Sequence, residues 1–444
     1  MFRLYGMLFG IGALLMAPYY AWRYRKLPSL RRSWSERFGF LPPEFQQSKK
    51  GAIWIHAVSV GETLAVSALA HKLQRRYPER KVFISHVTPT GREAGEKRMP
   101  DLAGRFYLPL DFKGSVQRTL RSVRPDLLLI VETELWPNLL RWTHDSGAWV
   151  VVVNARLSAR SARGYRRFRF FMRRVLSQVD WIFAQTAADA ERFCQIGAPR
   201  DRVVALGNLK FDVQPPENTT LGESLRRALA ASGRGPVLIA ASTMPREEES
   251  ILAAWGEIRR HNPQAILALA PRHPARFDEV ADLLGRSAIR FVRRSALSAS
   301  DPELCSQIAA AEVVLLDSIG ELAGLFGLAE LVFMGGSLVP TGGHNLLEPA
   351  RYAKPVLFGP HMSNFLDLAR LFLDSGAAIQ VKDSAELAQQ ALVLLADDQR
   401  RQALGEAARN VVKCESGATQ QILDRLSKLL DESNPARAAR SGQP

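Results

Sequence analysis

Residues 52–73 read AIWIHAVSVGETLAVSALAHKL, and this stretch sets the pattern that the rest of the chain repeats. The apolar run AIWIH is too short for a helix and unbroken enough for a strand buried on both faces, and LAVSALAHKL favours a helix. In many α/β proteins the turn between such elements is glycine-rich and binds phosphate at the helix N-terminus. Here the turn, AVSVGET, carries Glu62, a carboxylate that would repel a phosphate.

The same alternation of short apolar runs and helical stretches continues along the chain. In the first half the runs lie at 82–85, 127–131, 149–153, 181–184 and 203–206, and a polar, Pro-rich linker (QPPENTT, 214–220) follows them. It restarts with runs at 236–242, 265–271, 313–317, 331–337, 355–360 and 377–381. The pattern predicts two open parallel α/β sheets in series, with ligands at the carboxyl ends of the strands and in the cleft between the sheets.

Composition narrows the class of protein. A chain of 444 residues with 47% apolar residues fits two globular domains. The three cysteines are widely separated, which argues against a disulfide framework or a zinc site. The net charge of +15 calls for an anionic partner, and nucleic acid, anionic lipid and a phosphorylated substrate all qualify.

The N-terminus indicates membrane attachment. Residues 4–22, LYGMLFGIGALLMAPYYAW, are uncharged, about long enough to cross a bilayer, and end in aromatic residues typical of the interface. Arginines follow directly, which places the downstream chain in the cytoplasm by the positive-inside rule. A spanning anchor and an interfacial helix both fit, because glycines and Pro18 interrupt the run.

A second basic region lies at 156–174, RLSARSARGYRRFRFFMRR. It contains eight arginines interleaved with aromatic residues and has no acid. Such a helix could bind single-stranded nucleic acid, lie on an anionic membrane, or simply be solvated. The apolar N-terminus favours the membrane.

Charged residues follow several strands of the first half. Glu132 and Glu134 come just after the run at 127–131, where they could orient a sugar or base, or complement the N-terminus of the helix near Pro137. Lys210, in GNLKFD, is placed at the end of the strand before the linker. It could reach a phosphate or carboxylate across the cleft, or be a solvated lysine.

The richest pattern of the second half is FMGGSLVPTGGHNLLEPA, residues 333–350. Its two glycine pairs let the backbone approach a ligand, and Glu348 could accept hydrogen bonds from ribose hydroxyls. The alternative is a loop that only caps a helix, with His344 or Asn345 as the cap.

Arg272 directly follows a strand, and its guanidinium group suits a phosphate. No DxD, P-loop, HExxH or GxSxG motif stands in a supporting context, so a metal-dependent mechanism is not indicated.

Taken together, these motifs resemble one known family. HAVSVGET, VTPTGREAGEKR, ETELWPNLL, NARLSARS, GNLKFD, PRHPARF, GGSLVPTGGHNLLEPA and GPHMSNF are similar, in this order, to blocks of the Kdo (3-deoxy-D-manno-octulosonic acid) transferases of lipopolysaccharide synthesis. The resemblance runs to about residue 415. It implies a GT-B fold, with two Rossmann-like domains facing a central cleft, and a catalytic part on the cytoplasmic side of the bacterial inner membrane. It also implies the donor CMP-Kdo, a lipid A precursor (lipid IVA) as acceptor, and inversion without a metal or cofactor.

The resemblance also implies roles for individual residues. Glu62 falls on the general base that deprotonates the acceptor hydroxyl, and Glu132 and Lys210 fall on positions that stabilise the transition state. The implied CMP contacts are Pro271, Arg272, Ile319, Gly320, Glu321, Asn345, Leu346, Leu347 and Glu348.

Two departures from the family pattern lie on the donor side. The chain reads STMPREE at 242–248, where the family usually has STHEGEE, and Leu316-Asp317-Ser318, where it has GDT. A histidine contact expected in the first block is therefore absent.

The predicted domains are a membrane anchor (1–26), an acceptor domain (27–213), a linker (214–235), a CMP-Kdo-binding domain (236–430) and a disordered tail (431–444). Two other functions fit parts of the pattern. A different GT-B nucleotide-sugar transferase or a 2-epimerase would share the glycine-rich loop, and a non-catalytic membrane scaffold would share the basic surface.

One difficulty concerns Glu62 as a base. A carboxylate at a helix N-terminus stays ionised but loses basicity. Glu62 must therefore either gain basicity from partial burial or act late, when the acceptor proton is already acidic.

Overall fold

The computed structural model describes residues 1–24, 28–49, 51–213, 220–297 and 303–431. The chain divides into two compact units, Met1–Val213 with Glu415–Pro444, and Gln214–Cys414. Each unit holds one seven-stranded sheet in which every pair of neighbouring strands is parallel. The prediction of two parallel α/β sheets is confirmed.

The strands of the first unit are β1 (Ala52–His56), β2 (Val82–His86), β3 (Gly104–Tyr107), β4 (Pro125–Val131), β5 (Trp149–Ala155), β6 (Trp181–Ala184) and β7 (Val203–Ala205). They are arranged as β3-β2-β1-β4-β5-β6-β7. Every residue of β1 is buried, because alternate side chains pack into different cores: Trp54 joins Phe83 and Phe106 on one face, and Ile53 and Ile55 pack on the other.

This strand order places a crevice beside β1. The chain runs from β1 outward through β2 to β3 and then returns to place β4 on the other side of β1. The loops that leave the carboxyl ends of β1 and β4 therefore diverge, which is where open α/β sheets bind ligands. Glu62 follows β1, and Glu132 and Glu134 follow β4.

The helices of the first unit before residue 214 are α1 (Phe2–Tyr24), α2 (Pro28–Arg37), α3 (Val60–Arg76), α4 (Pro89–Arg98), α5 (Lys113–Val123), α6 (Pro137–Asp145), α7 (Ala159–Arg166), α8 (Arg169–Leu176) and α9 (Ala187–Ile196), with short 3-10 turns at Pro43–Phe45, Arg200–Arg202 and Leu209–Asp212.

The N-terminal run predicted as an anchor is helical. The rings of Phe2 and Tyr5 in α1 lie 6.2 and 6.0 Å from that of Phe171, and Phe9 lies 5.1 Å from Phe112. Among the helices that the structure describes, none combines the length and the apolar character needed to span a bilayer. The membrane anchor stays a prediction.

The second unit contains the strands β8 (Val237–Thr243), β9 (Ile266–Pro271), β10 (Phe291–Arg293), β11 (Val313–Leu315), β12 (Leu331–Met334), β13 (Val356–Phe358) and β14 (Ile379–Gln380). Its helices are α10 (Thr220–Ser232), α11 (Glu248–His261), α12 (Phe277–Arg286), α13 (Glu303–Ala310), α14 (Leu322–Leu325), α15 (Leu347–Arg351), α16 (Leu366–Asp374), α17 (Ser384–Ala396) and α18 (Asp398–Glu415), with 3-10 turns at Pro274–Arg276, Arg294–Ala296 and Phe326–Leu328.

The second sheet is related to the first but differs in strand order, because β11 lies between β9 and β10. Its order is β10-β11-β9-β8-β12-β13-β14, so β8 is flanked by β9 on one side and β12 on the other. The loops after β8 and β12 bound the crevice of this unit. Arg272 follows β9 at the same edge.

The unit boundaries differ from the predicted domains at the C-terminus. The last helix, α19 (Ala418–Asp431), belongs to the first unit, where Ala418, Ile422 and Leu426 join the core behind β1. Its apolar side chains find their core there and not in the second sheet. Of the predicted linker, residues 214–219 lie outside the described residues and Thr220–Ser232 form α10. Of the predicted tail, 432–444 lie outside the described residues and Asp431 ends α19.

Candidate active site

Glu62 lies in the first turn of α3, and its carboxylate is folded back onto the start of the helix. The hydroxyl of Ser59, the N-cap residue, donates to Glu62 Oε1 at 2.8 Å and accepts from the Glu62 backbone N–H at 3.3 Å. The Val58 N–H donates to Glu62 Oε2 at 2.8 Å. This is a variant of the capping box, in which the Ser59 hydroxyl satisfies the open N–H of Glu62 and the Glu62 carboxylate accepts the N–H of Val58, the residue before the N-cap.

The same carboxylate has an unusual proton affinity. Burial leaves Glu62 only 8% exposed and raises its pKa to about 7, although the hydrogen bonds from Val58 and Ser59 act in the opposite direction. The negative charges of Glu132 and Glu134 raise it further. Sequence analysis left two explanations for Glu62 as a base: partial burial, or action late in the reaction. The structure supports partial burial as the source of its basicity. Glu62 is a carboxylate tuned to exchange a proton near neutral pH.

Glu132 and Lys210 form an ion pair at the same edge of the sheet. Lys210 Nζ lies 2.8 Å from Glu132 Oε1, and both side chains are partly buried. Glu132 has a left-handed backbone (φ 61°), stabilised by its N–H bond to the Val153 carbonyl at 3.0 Å. Backbone strain of this kind in a residue other than glycine concentrates at functional sites.

The capping role considered for the two glutamates belongs to another residue. Buried Asp111 accepts the backbone N–H groups of Asn138 at 3.0 Å and Leu139 at 2.7 Å, at the start of α6. Glu134 accepts the Trp136 indole N–H at 3.0 Å, and burial raises its pKa. The sequence gives little sign of Asp111, because it lies 27 residues before Asn138, whose N–H it accepts.

In the second unit, the first glycine pair is occupied by the protein itself. The carboxylate of Glu247, which is fully buried, accepts the N–H groups of Gly336 at 2.6 Å, Ser337 at 3.0 Å and Leu338 at 2.9 Å. These three N–H groups are therefore already bonded within the protein, and close approach of the glycine backbone to a ligand stays a prediction. Glu247 is a residue that sequence reasoning missed.

The second glycine pair leads into a cluster of polar groups. The Asn345 side chain accepts the Leu347 N–H at 3.2 Å at the start of the short helix α15, whose N-cap residue is Leu346 and not His344 or Asn345. His344 Nε2 is buried without a hydrogen-bond partner among the described residues. Burial, with Arg272 and His273 nearby, lowers the His344 pKa to about 4, so this ring is neutral at physiological pH.

The remaining predicted donor residues lie at the same sheet edge with different exposures. Pro271 ends β9, and Arg272 is exposed and pairs with no acid in the described part of the chain. Ile319 is 72% exposed and Gly320 has φ 91°, whereas the Glu321 carboxylate pairs with Arg294 at 2.8 Å.

Three predicted donor residues follow β12: Leu346 ends the loop, and Leu347 and Glu348 begin α15. The side chains of Leu346 and Leu347 are buried, so only their backbone could contact a ligand. Burial raises the pKa of Glu348, against the opposing effects of Arg351, Asn345 and Arg272. A guanidinium, a neutral imidazole and a carboxyl group thus influence one another at this edge, a combination suited to a phosphorylated ligand.

Metal ligands are not grouped in either unit. The described residues contain no set of three or more His, Cys, Asp or Glu side chains arranged to hold an ion.

The basic region at 156–174 forms two short helices, α7 and α8, instead of one. The break falls at Phe168, which is 68% exposed, and Phe170 is 79% exposed. Phe171 turns inward to contact α1, whose opposite face exposes Leu4, Leu8, Ile11 and Leu15. These six exposed apolar side chains are together called the exposed apolar surface, and arginines neighbour Phe168 and Phe170 in the sequence.

Comparison with known proteins identifies the family. Residues 32–213 match the model of the 3-deoxy-D-manno-octulosonic-acid transferase (kdotransferase) family. The chain is 36% identical to the 3-deoxy-D-manno-octulosonic acid transferase of Haemophilus influenzae over 407 residues, covering 91% of this chain and 93% of that protein. It is also 36% identical to the Bordetella pertussis enzyme over 424 residues, covering 92% and 95%.

Solved structures support the fold at a greater distance. A putative UDP-N-acetylglucosamine 2-epimerase from Listeria monocytogenes is 13% identical with a TM-score of 0.58, over 87% of this chain and 98% of that one. The Neisseria meningitidis 2-epimerase is 14% identical with a TM-score of 0.56, over 85% and 100%. Structural similarity at such low sequence identity shows a shared fold. It does not support the alternative function of a 2-epimerase. The length and identity of the matches to the kdotransferases show that this chain belongs to the 3-deoxy-D-manno-octulosonic acid transferase family and is a Kdo glycosyltransferase.

Proposed function

We propose that the chain transfers Kdo from CMP-Kdo to the lipid A precursor lipid IVA, with inversion at the anomeric carbon and without a metal ion. The observation that carries the acceptor side of this proposal is Glu62, a buried carboxylate with a pKa of about 7 beside the Glu132 and Lys210 pair. A base of this strength matches general-base removal of a hydroxyl proton at neutral pH.

In the proposed reaction, Glu62 takes the proton of the acceptor hydroxyl as its oxygen bonds to the anomeric carbon of Kdo. The bond from that carbon to the phosphate oxygen breaks, and CMP leaves with the electron pair. CMP is a stable anion, so no acid is needed on the leaving side. Lys210 is placed to stabilise negative charge as it develops, with Glu132 holding its ammonium group in position.

The donor would bind at the carboxyl edge of the second sheet. Arg272 offers a guanidinium to the CMP phosphate, and Pro271, Gly320 and the backbone of Leu346 and Leu347 would approach the nucleotide. The ribose hydroxyls would donate to Glu348. Arginine and lysine thus supply the positive charge that a metal ion supplies in other glycosyltransferases.

The test is a transfer assay in detergent with purified protein, CMP-Kdo formed in situ, and tetraacylated lipid A precursor. The masses of the products are measured by mass spectrometry, which also gives the number of Kdo residues added. We expect transfer that EDTA does not reduce. No product from the wild type would overturn the proposal, and an EDTA-sensitive rate would overturn its metal-free mechanism.

We further propose that the protein works at the cytoplasmic side of the bacterial inner membrane. The exposed apolar side chains of α1 and the Phe168 and Phe170 rings, next to the arginines of α7 and α8, suit the headgroup region of an anionic leaflet. An interfacial α1, in place of a spanning one, agrees with its contacts to Phe171 and Phe112.

The double variant Phe168→Ser, Phe170→Ser should weaken binding to vesicles containing anionic phospholipid by at least roughly tenfold, since each ring would otherwise bury apolar area. Cosedimentation measures this. Leu366→Ser with Leu373→Ser is the matched control, because these leucines of α16 are also exposed but lie in the second unit. Equal loss in both double variants would contradict the assigned surface.

The pH dependence of kcat/KM should follow Glu62. The base must be ionised, and its pKa is about 7, so kcat/KM should fall about tenfold per pH unit below that value. Ser59→Ala removes an O–H donor that favours the ionised form, so the acidic limb should move to higher pH. Ser158→Ala, which removes the N-cap of α7, is the control and should leave the limb in place. A limb that does not move in Ser59→Ala would contradict Glu62 as the base.

A further inference from the structure

The proposed catalytic lysine sits on a very short element. Lys210 belongs to the 3-10 turn Leu209–Asp212, whose N-cap Asn208 accepts the Lys210 N–H at 2.9 Å. A single 3-10 turn has few hydrogen bonds of its own and is not rigid alone. Its position must therefore be set by the structure on either side.

One side is held by β5. Asn154, which is fully buried and has φ 54°, accepts the Leu209 N–H on Oδ1 at 2.9 Å. Asparagine tolerates this left-handed backbone better than most residues. The contact fixes the beginning of the turn, one residue before Lys210.

The other side is held by the end of the chain. The Asp212 carboxylate accepts the Gly417 N–H on Oδ1 at 2.6 Å and the Thr419 N–H on Oδ2 at 2.5 Å, at the start of α19. The Ser416 hydroxyl donates to the Phe211 carbonyl at 3.2 Å. Asp212 therefore fills the place of an N-terminal cap for a helix 205 residues away in sequence.

Close packing supports these hydrogen bonds. Leu209 is fully buried in the same core as Ala418 and Ile422 of α19. A Cβ at Gly207 would lie 3.2 Å from Ala418 Cβ, so the chain before the turn and the start of α19 are in contact. The turn is thus clamped between β5 and the C-terminal helix, with Lys210 directed to Glu132.

We propose that Asp212 is a positioning residue for Lys210, and that α19 acts through it to fix the lysine at the active site. The inference rests on the proposed function, because Lys210 matters to the rate only if it stabilises the transition state. Loss of the Asp212 carboxylate frees the end of the turn and lets the ammonium group move by an ångström or so. Displacements of that size cost up to about 10²-fold in rate.

The test is a double-mutant cycle in the transfer assay. Asp212→Ala should lower kcat about 10- to 100-fold in the wild-type background, with a smaller change in the KM for CMP-Kdo. In the Lys210→Ala background the same substitution should change kcat by less than about twofold, because there is no lysine left to misplace. Asp212→Asn keeps one acceptor for α19 and should recover part of the rate, and it serves as the second variant if Asp212→Ala does not fold.

The matched control is Asp383→Ala. Asp383 caps α17 by accepting the Glu386 N–H at 2.9 Å, so its removal costs a helix cap in the second unit without touching the turn. Its kcat should stay at the wild-type value.

Two results would overturn the inference. An equal loss from Asp212→Ala in both backgrounds would mean that Asp212 acts on the fold in general, and no loss in the wild type would mean that α19 does not hold the lysine. In either case the wild type still transfers Kdo and the proposed function stands. A wild type that transfers no Kdo would overturn both.

Discussion

Replacing Glu62 by glutamine is expected to lower kcat by roughly 10²- to 10⁴-fold, the range that general-base catalysis contributes. Glutamine has nearly the same shape, and its amide can still accept the Val58 N–H and donate to the Ser59 hydroxyl. It cannot take a proton from the acceptor. The variant should therefore bind both substrates and fail in the chemical step.

Stability should move in the opposite direction from activity. Because the folded protein raises the Glu62 pKa from 4.5 to about 7, it holds the proton more tightly than the unfolded chain does. Ionisation of Glu62 thus lowers the free energy of unfolding as pH rises from about 4.5 to 7, and the loss persists above 7. Glu62→Gln removes this loss, so at pH 8 its denaturant midpoint should equal or exceed that of the wild type.

The chain offers a closely matched control for this variant. Asp189 forms the same reciprocal cap at α9: it accepts the Thr186 hydroxyl at 2.7 Å, and its N–H donates to Thr186 Oγ at 3.1 Å. Two strands, β4 and β5, separate β6 from β1 in the sheet. Asp189→Asn should keep kcat within a few-fold of wild type. A similar loss in both variants, or full activity of Glu62→Gln, would remove Glu62 from the mechanism.

The fold was predictable wherever strands are buried on both faces. Runs such as AIWIH and WVVVV are continuous and apolar because parallel strands lie between two layers of helices. The strands that sequence analysis missed, β3 and β10, are edge strands: each has one neighbour, and partly exposed residues make up the first half of GRFY and all of FVR. An edge strand needs no apolar run, so its pattern does not stand out.

The candidate site was predictable only as far as local motifs carry it. The Ser59 to Glu62 spacing already fits a capping box, and Lys210 and Glu132 each follow a strand. The carboxylates that organise the sites from a distance gave no signal. Glu247 accepts hydrogen bonds from the N–H groups of a loop 89 to 91 residues away. Asp212 caps α19, a helix near the C-terminus of the chain. Such pairings depend on which strands become neighbours, which local spacing does not reveal.

Lys210→Ala is expected to lower the plateau of kcat by roughly 10²- to 10³-fold. Removal of one hydrogen-bond donor that stabilises an anionic transition state typically has an effect of this size. It should also change the pH profile. Lys210 balances the charge of Glu132, and Glu132 is one of the charges that raise the Glu62 pKa. Without the lysine this repulsion is stronger, so the acidic limb of kcat/KM should move above its wild-type position near 7.

The two effects can be separated with Lys210→Arg. Arginine keeps the positive charge beside Glu132 but presents it with different geometry, so the limb should return to its wild-type position while the plateau recovers only in part.

Arg80→Ala controls for loss of an ion pair as such. Arg80 pairs with Asp126 at 2.7 Å near the start of β4, the opposite edge of the sheet, and its loss should change neither plateau nor limb. If Lys210→Ala lowers the plateau without moving the limb, Lys210 stabilises the transition state but does not tune the base. An unchanged plateau would show that the pair of Glu132 and Lys210 serves the fold alone.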